Sequence, residues 1–598
     1  MRDTMNEITQ FSPYAGGLFL ETVPGDTTRR EAENEADAAV GRERDMYVYA
    51  PVSGCHGPKQ NQVLMVLRDS DTEASAREVM ERYGLRALAE EKHFLLLFPN
   101  PQPGGWNYTV DGAREDDISY LIRCFAALRG SKVGVNGFNG MTFYIGASAN
   151  ASAMLMTMAA RKPINVPAMM IAQFPDGYQI PTDALGVPTA AWISGKPAAA
   201  AYWKATNDVA EGTAVTGQGV TCYRSRQNEN IRLMVTDRPI EKETVALAWE
   251  TLFSETRRWQ NDTHGTYQGR TNFTARGFIP HVQDSSLGVN NGFPHTWYEY
   301  VPPKLRGTTQ KVPLLINFHG GSCIPLYAAE QSGWHDIADE EGFIVVYPKA
   351  DYKAMWNVWG DPSIPIDDEA FFLALVEHIK KAYPIDERRI YISGFSMGGM
   401  MSNAMACAHP ELVAAAAPCN AYNEGYLSSY AAMERRRTAP ASPTGGVVDL
   451  STPFDAPEDP PTSIKVEADG KKARFDYRVP VFQISGLLDQ TWPIRTTPDQ
   501  RLKTFDYWKA YNNIPVEPFV TNEACESGLT ADETFYDCAD ERFLHHRWFS
   551  RDEGRPALYE VLLAKRMPHA LDLRAPRLAW QFMKKFARNA DGTLSIEE

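Results

Sequence analysis

Chemistry is concentrated in Gly394-Phe395-Ser396-Met397-Gly398, which follows the apolar run RIYISGF and opens the Met- and Ala-rich stretch MGGMMSNAMACA. A strand that turns sharply into a helix can lift a serine hydroxyl above a sheet. Such a turn crowds the backbone, so glycines must flank the serine. The helix start also offers unpaired N–H groups to developing negative charge. The chemistry is acyl transfer by a serine nucleophile, which needs an imidazole to accept its proton and a buried carboxylate to orient that imidazole. Asp489 in GLLDQTWP follows the run VFQISG, and His569 in RMPHALDL follows YEVLLAKR. The chain order Ser396, Asp489, His569 is the one this arrangement uses. His378, His409, His545 and His546 lack that placement. Upstream, VPLLINF ends in His319-Gly320-Gly321-Ser322-Cys323, a segment able to complete an oxyanion hole. The expected donors are the N–H of Met397 and one from Gly321 or Ser322.

Positioning these residues requires buried strands alternating with helices. VPLLINF, FIVVYP, RIYISGF and VPVFQISG read as strands; DDEAFFLALVEHIKKAY and MGGMMSNAMACAHPELV read as helices. This alternation predicts an α/β fold with a mostly parallel sheet flanked by helices. The chain also repeats itself at an offset of about 250 residues. YVYAP, LFPN, GWN, EDDISYLI and FYIGASANASAM in the first half match YEYVP, VYPK, MWN, DDEAFFLAL and IYISGFSMGGMM in the second. Two α/β domains are therefore expected, residues 1–275 and 276–598. The second carries an extra segment near 420–478, read as a loop or lid followed by a hairpin with a DG turn. The first copy is degenerate. Its elbow reads Gly146-Ala147-Ser148-Ala149-Asn150, its oxyanion strand LMVLRDSD lacks HGG, its acid position falls near Lys196 to Ala198, and TDRPIEKE offers no histidine. Ser148 therefore lacks an activating base, and a scaffold that shapes or covers the other copy's site is expected, with a separate binding site in the first copy as the alternative.

Sixty Lys plus Arg against 75 Asp plus Glu leave a net charge of −15. That balance argues against a general nucleic-acid or anionic-membrane binder. No run is long and apolar enough to span a bilayer and the first residues lack a secretory layout, so a cytoplasmic protein is expected unless an export signal was removed. Eight cysteines without a CxxC pair give no zinc ribbon or thioredoxin-type site. Cys525 and Cys538 could pair in an oxidising compartment; two unrelated thiols are the expectation. No dinucleotide, Walker or HExxH pattern stands in a supporting context.

HGG at Gly320, SGFSMGGMMSNAMACAHPELVAAAAP around Ser396, SGLLDQTWP at Asp489 and MPHALDL at His569 together resemble the α/β-hydrolase superfamily. More narrowly they are similar to polyhydroxybutyrate depolymerases and feruloyl esterases, over roughly residues 298–588. The resemblance implies hydrolysis of a small or polymeric carboxylic ester without metal or organic cofactor. Trp492-Pro493 and the insertion depart from the family pattern, which bears on the substrate. Trp356, Trp359 and Trp492 are the candidate platform for an aromatic acyl group or a polymer chain. A serine peptidase or amide hydrolase is the alternative enzyme, and a polymer- or carbohydrate-binding pseudoenzyme the alternative outside enzymes. Oligomeric state stays open.

Overall fold

The computed structural model describes residues 17–25, 42–52, 61–110, 114–128, 137–215, 218–358, 364–421, 477–491, 498–538 and 540–597. The expected lid and hairpin, apart from their first and last residues, lie outside these, as do Trp359 and Trp492. Two compact units divide between Thr271 and Asn272, four residues ahead of the boundary expected from sequence.

Each unit is built on a ten-stranded sheet, and the two sheets share one topology. Numbering the ten strands of either sheet in chain order, the spatial order in both is 1-2-4-3-5-6-7-10-9-8. Strands 4-3-5-6-7-10 pair in parallel, while strands 1 and 2 at one edge and 9 and 8 at the other run antiparallel. The internal repeat is thus a repeat of the whole sheet. In the second unit strands 3 (Val312–Phe318), 4 (Ile344–Pro348) and 7 (Val481–Gly486) are buried at every position. Such uniform burial explains their continuous apolar runs, because helices cover both faces of a parallel sheet.

Order and direction fix where chemistry can occur. Strand 5 of the second unit, Ile385–Phe395, delivers Ser396 at its C-terminal end. Strand 7 delivers Asp489, and strand 10, Ala557–Ala564, delivers His569. Strands 7 and 10 are direct neighbours, with Gly486 paired to Ala564. Because strands 5, 7 and 10 run parallel, all three loops emerge on one edge of the sheet, the place where open α/β sheets bind ligands. In the first unit the corresponding strands are Gly137–Gly146, Ala190–Ser194 and Arg232–Thr236.

Each unit has its own sheet and its own apolar cores. Residues 272–598 produced alone are therefore expected to melt cooperatively and keep a mixed helix-and-strand circular dichroism spectrum. A featureless, non-cooperative melt would show that the second unit depends on the first.

Candidate active site

The turn after strand 5 is under strain. Ser396 holds φ 55° and ψ −121°, a backbone region that costs a non-glycine residue about 1–3 kcal/mol. Its N–H donates to the Cys419 carbonyl at 2.8 Å, and its own carbonyl accepts the Met400 N–H at 2.9 Å. The flanking glycines permit this. A Cβ at Gly394 would lie 2.3 Å from the Gly398 carbonyl oxygen, and one at Gly398 would lie 2.2 Å from that of Phe318. Helix Met397–Ala408 begins immediately after the serine, so the Met397 N–H has no acceptor within the helix.

The three residues read from sequence meet. Ser396 Oγ lies 2.9 Å from His569 Nε2, and His569 Nδ1 lies 2.8 Å from Asp489 Oδ2. Asp489 is buried; its other oxygen accepts the Thr491 N–H at 2.8 Å, so it acts as acceptor at both ends. With Asp489 accepting from Nδ1–H, Nε2 is left to accept the serine proton. The Phe395 ring packs on the imidazole with centroids 5.0 Å apart. Sequence reasoning missed Asn420, which directly follows strand 6 of the second unit (Ala415–Cys419) and has φ 46°. Its Oδ1 accepts the Gly486 N–H at 2.8 Å and its Nδ2 donates to the Ala570 carbonyl, tying the acid and histidine loops together. Asp572 anchors the histidine loop further through Arg542 Nε at 2.8 Å. Burial works against its charge, yet hydrogen bonds from Arg574 and the nearby Arg542 cation hold its carboxyl below the ordinary range.

Beside the elbow, the strand 3 loop is locked by His319, whose Nε2 accepts the Ala350 N–H at 2.9 Å while Nδ1 donates to the Gly320 carbonyl at 2.8 Å. Gly320 lies against the elbow: a Cβ there would be 3.5 Å from Ser396 Cβ. One expected donor is corrected. The Ser322 N–H is already bonded to the Ala354 carbonyl at 2.8 Å, so Gly321 is left as the partner of Met397. The thioethers of Met355 and Met397 flank Gly321, 3.2 and 3.5 Å from where its Cβ would be. The binding-platform expectation for Trp356 is also corrected. Trp356 is 1% exposed, sits in the apolar core and donates Nε1–H to the His319 carbonyl at 2.8 Å. Next to it the Asn357 N–H donates to Asp368 Oδ2 at 2.6 Å. Burial, reinforced by Asp351 and Asp367, pushes the Asp368 carboxyl up to about 7 despite that hydrogen bond. Cys525 and Cys538 are free thiols.

The first unit answers each of these features differently. Ser148 has φ −140° and ψ 175°, relaxed extended backbone, and caps the following helix by accepting the Ala151 N–H at 3.0 Å. Its hydroxyl donates to Asp69 at 2.7 Å, a carboxylate in the position of Gly320. Arg68 replaces His319; its guanidinium, brought down to about 10 by burial, binds the Pro99 carbonyl and Asn100 Oδ1. Helix Pro197–Thr206 occupies the acid position, and the tenth strand leads into Asp237-Arg238-Pro239. Only the scaffold survives: Trp106 Nε1 donates to the Arg68 carbonyl at 2.9 Å, as Trp356 does to His319.

Parts of this chain are similar to known proteins. The prolyl oligopeptidase family matches residues 338–430. A bifunctional acetylxylan esterase/xylanase of Neocallimastix patriciarum is 35% identical over 125 residues, 21% of this chain and 17% of the relative. Feruloyl esterase B of Neurospora crassa is 34% identical over 151 residues, 24% of this chain and 49% of the relative. Poly(3-hydroxyalkanoate) depolymerase C of Paucimonas lemoignei is 31% identical over 144 residues, 23% and 33% of the two chains. The chain thus spans less than half the length of these relatives. An acetyl xylan esterase structure from Aspergillus awamori is 16% identical with a TM-score of 0.34, covering 52% of this chain and 99% of that one.

Two outcomes follow from the packing. Gly398→Ala drives a Cβ into the Phe318 carbonyl, so it should cost about 1–3 kcal/mol of stability and displace Ser396. Loss of labelling by a fluorophosphonate in protein that still shows a cooperative melt would register the displacement, and wild-type labelling would disprove the clash. Asp368 keeps in the fold a proton that an unfolded carboxyl, with its pKa of about 4, has released, so stability falls as pH rises from about 4 through 7. Asp368→Asn retains an acceptor for Asn357 and cannot ionise. Its Tm relative to the natural protein should therefore be more favourable at pH 8 than at pH 4; a difference independent of pH would show that Asp368 ionises normally.

Proposed function

We propose that the second unit hydrolyses carboxylic esters through an acyl-serine intermediate. The observation that carries this reading is the hydrogen-bonded line Asp489–His569–Ser396, ending on a strained serine beside the N–H groups of Gly321 and Met397. Ser396 Oγ attacks the ester carbonyl carbon as His569 Nε2 takes its proton. Asp489 holds the ring and stabilises the imidazolium. The carbonyl oxygen becomes an oxyanion that accepts from Met397 and Gly321 N–H, donors fixed in place before the charge appears. Collapse expels the alcohol, protonated by His569. Water, deprotonated by the same imidazole, then attacks the acyl-serine and returns the acid and free Ser396. The cycle runs on this chain's side chains and water.

Names of the relatives support acetyl, feruloyl or hydroxyalkanoate esters, small or polymeric, as the substrate class. The exposed Met355 thioether beside Gly321 offers an apolar contact for such an acyl group. A peptidase is the second reading, favoured by the prolyl oligopeptidase match, since the same triad cleaves amides. The first unit takes no part in the chemistry, because Ser148 caps a helix and donates to the weakly basic Asp69 carboxylate rather than to an imidazole.

Turnover of p-nitrophenyl acetate, butyrate, hydroxybutyrate and feruloyl esters, measured beside chromogenic peptides, separates the two readings; cleavage of peptides alone would leave only the peptidase. Ser396→Ala and His569→Ala should each lower kcat by roughly 10⁴ to 10⁶, and Asp489→Asn by several orders of magnitude. Ser148→Ala should stay within about twofold in turnover while costing the first unit about 1 kcal/mol of stability through its lost cap. A loss of turnover in Ser148→Ala comparable to that in Ser396→Ala would reassign the first unit as catalytic.

A further inference from the structure

His281, Glu299 and His378 form a cluster that the reaction does not use. His281 lies on strand 1 (Ile279–Asp284) of the second sheet, Glu299 on strand 2 (His295–Tyr300), and His378 on helix Asp368–Ala382. One ligand atom from each lies within 4.8 Å of the other two. His281 Nε2 is 3.0 Å and His378 Nε2 4.0 Å from the same oxygen, Glu299 Oε1. Zinc bound tetrahedrally at about 2.0–2.2 Å separates its ligands by roughly 3.4 Å, between those two values. We propose that this cluster binds one divalent transition-metal ion of the zinc type through His281 Nε2, His378 Nε2 and Glu299 Oε1, with water completing the tetrahedron. This site stands independently of the ester-hydrolase reading.

The surroundings are those of a metal site. His281 Nδ1 faces Asp284 Oδ2 at 3.2 Å, the carboxylate contact that fixes the tautomer of a ligating histidine. A break in register between His281 and Asp284, with Gln283 at φ 54°, brings that carboxylate round to the ring. The imidazole therefore has a carboxylate at each nitrogen, although a neutral ring donates from only one. A metal cation between Nε2 and Glu299, like a second ring proton, satisfies both contacts, with Nδ1–H donating to Asp284. Trp297 supports the ring from below, stacked at 4.3 Å and 6°. Glu299 is buried and oriented by Trp297 Nε1 at 2.9 Å and Tyr383 Oη at 2.6 Å, while both histidine side chains keep partial exposure, leaving a way in for an ion.

The repeat supplies an internal control. In the first sheet the positions of His281, Glu299 and His378 are held by Glu21, Val48 and Ala127, placed by the same strand pairing and by the equivalent helix caps Asp116 and Asp367. Val48 is a fully buried core residue. The same topology therefore forms with a valine where the second unit buries a carboxylate, so folding alone does not call for these three groups. A bound ion would pin the edge strands to the helix that carries Asp368.

Equilibrium dialysis of the full chain against Zn²⁺ with elemental analysis, paired with visible spectra after Co²⁺ addition, tests the site. The natural protein should hold one more zinc per chain than His281→Ala/His378→Ala and show the intense d–d bands of tetrahedral cobalt. His378→Gln, at a half-exposed helix position, should weaken zinc by at least about tenfold, and Asp284→Asn by about 10–100-fold, with melting in EDTA unchanged for His378→Gln. Equal zinc in the natural protein and the double variant, or no cobalt bands in the natural protein, would overturn the proposal. If the double variant fails to fold, the cobalt spectrum of the natural protein and the affinity of His378→Gln decide alone; unchanged affinity there rejects His378 as a ligand.

Discussion

Everything at the candidate active site depends on how closely two stretches of backbone approach. The helix after strand 5 starts so near the end of strand 3 that a single methyl on Gly398 would overlap the Phe318 carbonyl. That closeness puts the Met397 N–H and the Gly320-Gly321 segment around one point. It also forces Ser396 into its unusual dihedral angles, and the surrounding sheet holds that strain because strand 5 is paired on both sides right up to the turn, Gly394 with Phe318 and Phe395 with Cys419. Reach across the sheet then sets the remaining geometry: the acid and the base arrive on adjacent strands, and Asn420 bridges their loops.

The duplicated sheet separates architecture from chemistry. Strand order, pairing direction, the indole bond to the carbonyl just past the third strand and the carboxylate that accepts from the asparagine after that tryptophan recur in both units. Features confined to the second unit are the strained serine, the glycine loop, the buried acid and the histidine. Trp356 illustrates the value of this comparison. Its twin Trp106 makes the same bond in a unit whose serine is bonded to Asp69 instead of to an imidazole, so both tryptophans serve the loop's shape.

What could be read from sequence were features that repeat along the chain or follow a strand. The apolar runs announced the strands, and the serine, acid and histidine stood at strand ends in the required order, so their meeting was legible. Side chains whose role arises from contacts far apart in sequence were not. Asn420 bonds across 66 and 150 residues, and nothing in its local pattern marks it. The choice between Gly321 and Ser322 turned on a hydrogen bond to Ala354 that no spacing encodes. Burial misled the reading of Trp356, because an aromatic next to a site motif looks the same in sequence whether it faces ligand or core. His281 and Glu299 belong together only through strand pairing and a break in its register.

Ser148 as a helix cap also bears on reversibility. A unit that had lost only its histidine and acid could regain activity by two side-chain replacements. Here the turn itself has settled into an ordinary helix entry, with Asp69 hydrogen-bonded to Ser148 and to the Asn150 side chain. Restoring the missing imidazole and carboxylate would present them to a hydroxyl that is committed elsewhere and sits on relaxed backbone. The path back runs through the main chain, by way of glycine at 150 and at 69, so each single step sacrifices a stabilising contact before any chemistry returns. Relaxation of the turn thus acts as a ratchet: the sheet is kept whole while the Ser148 hydroxyl is held by its cap and by Asp69.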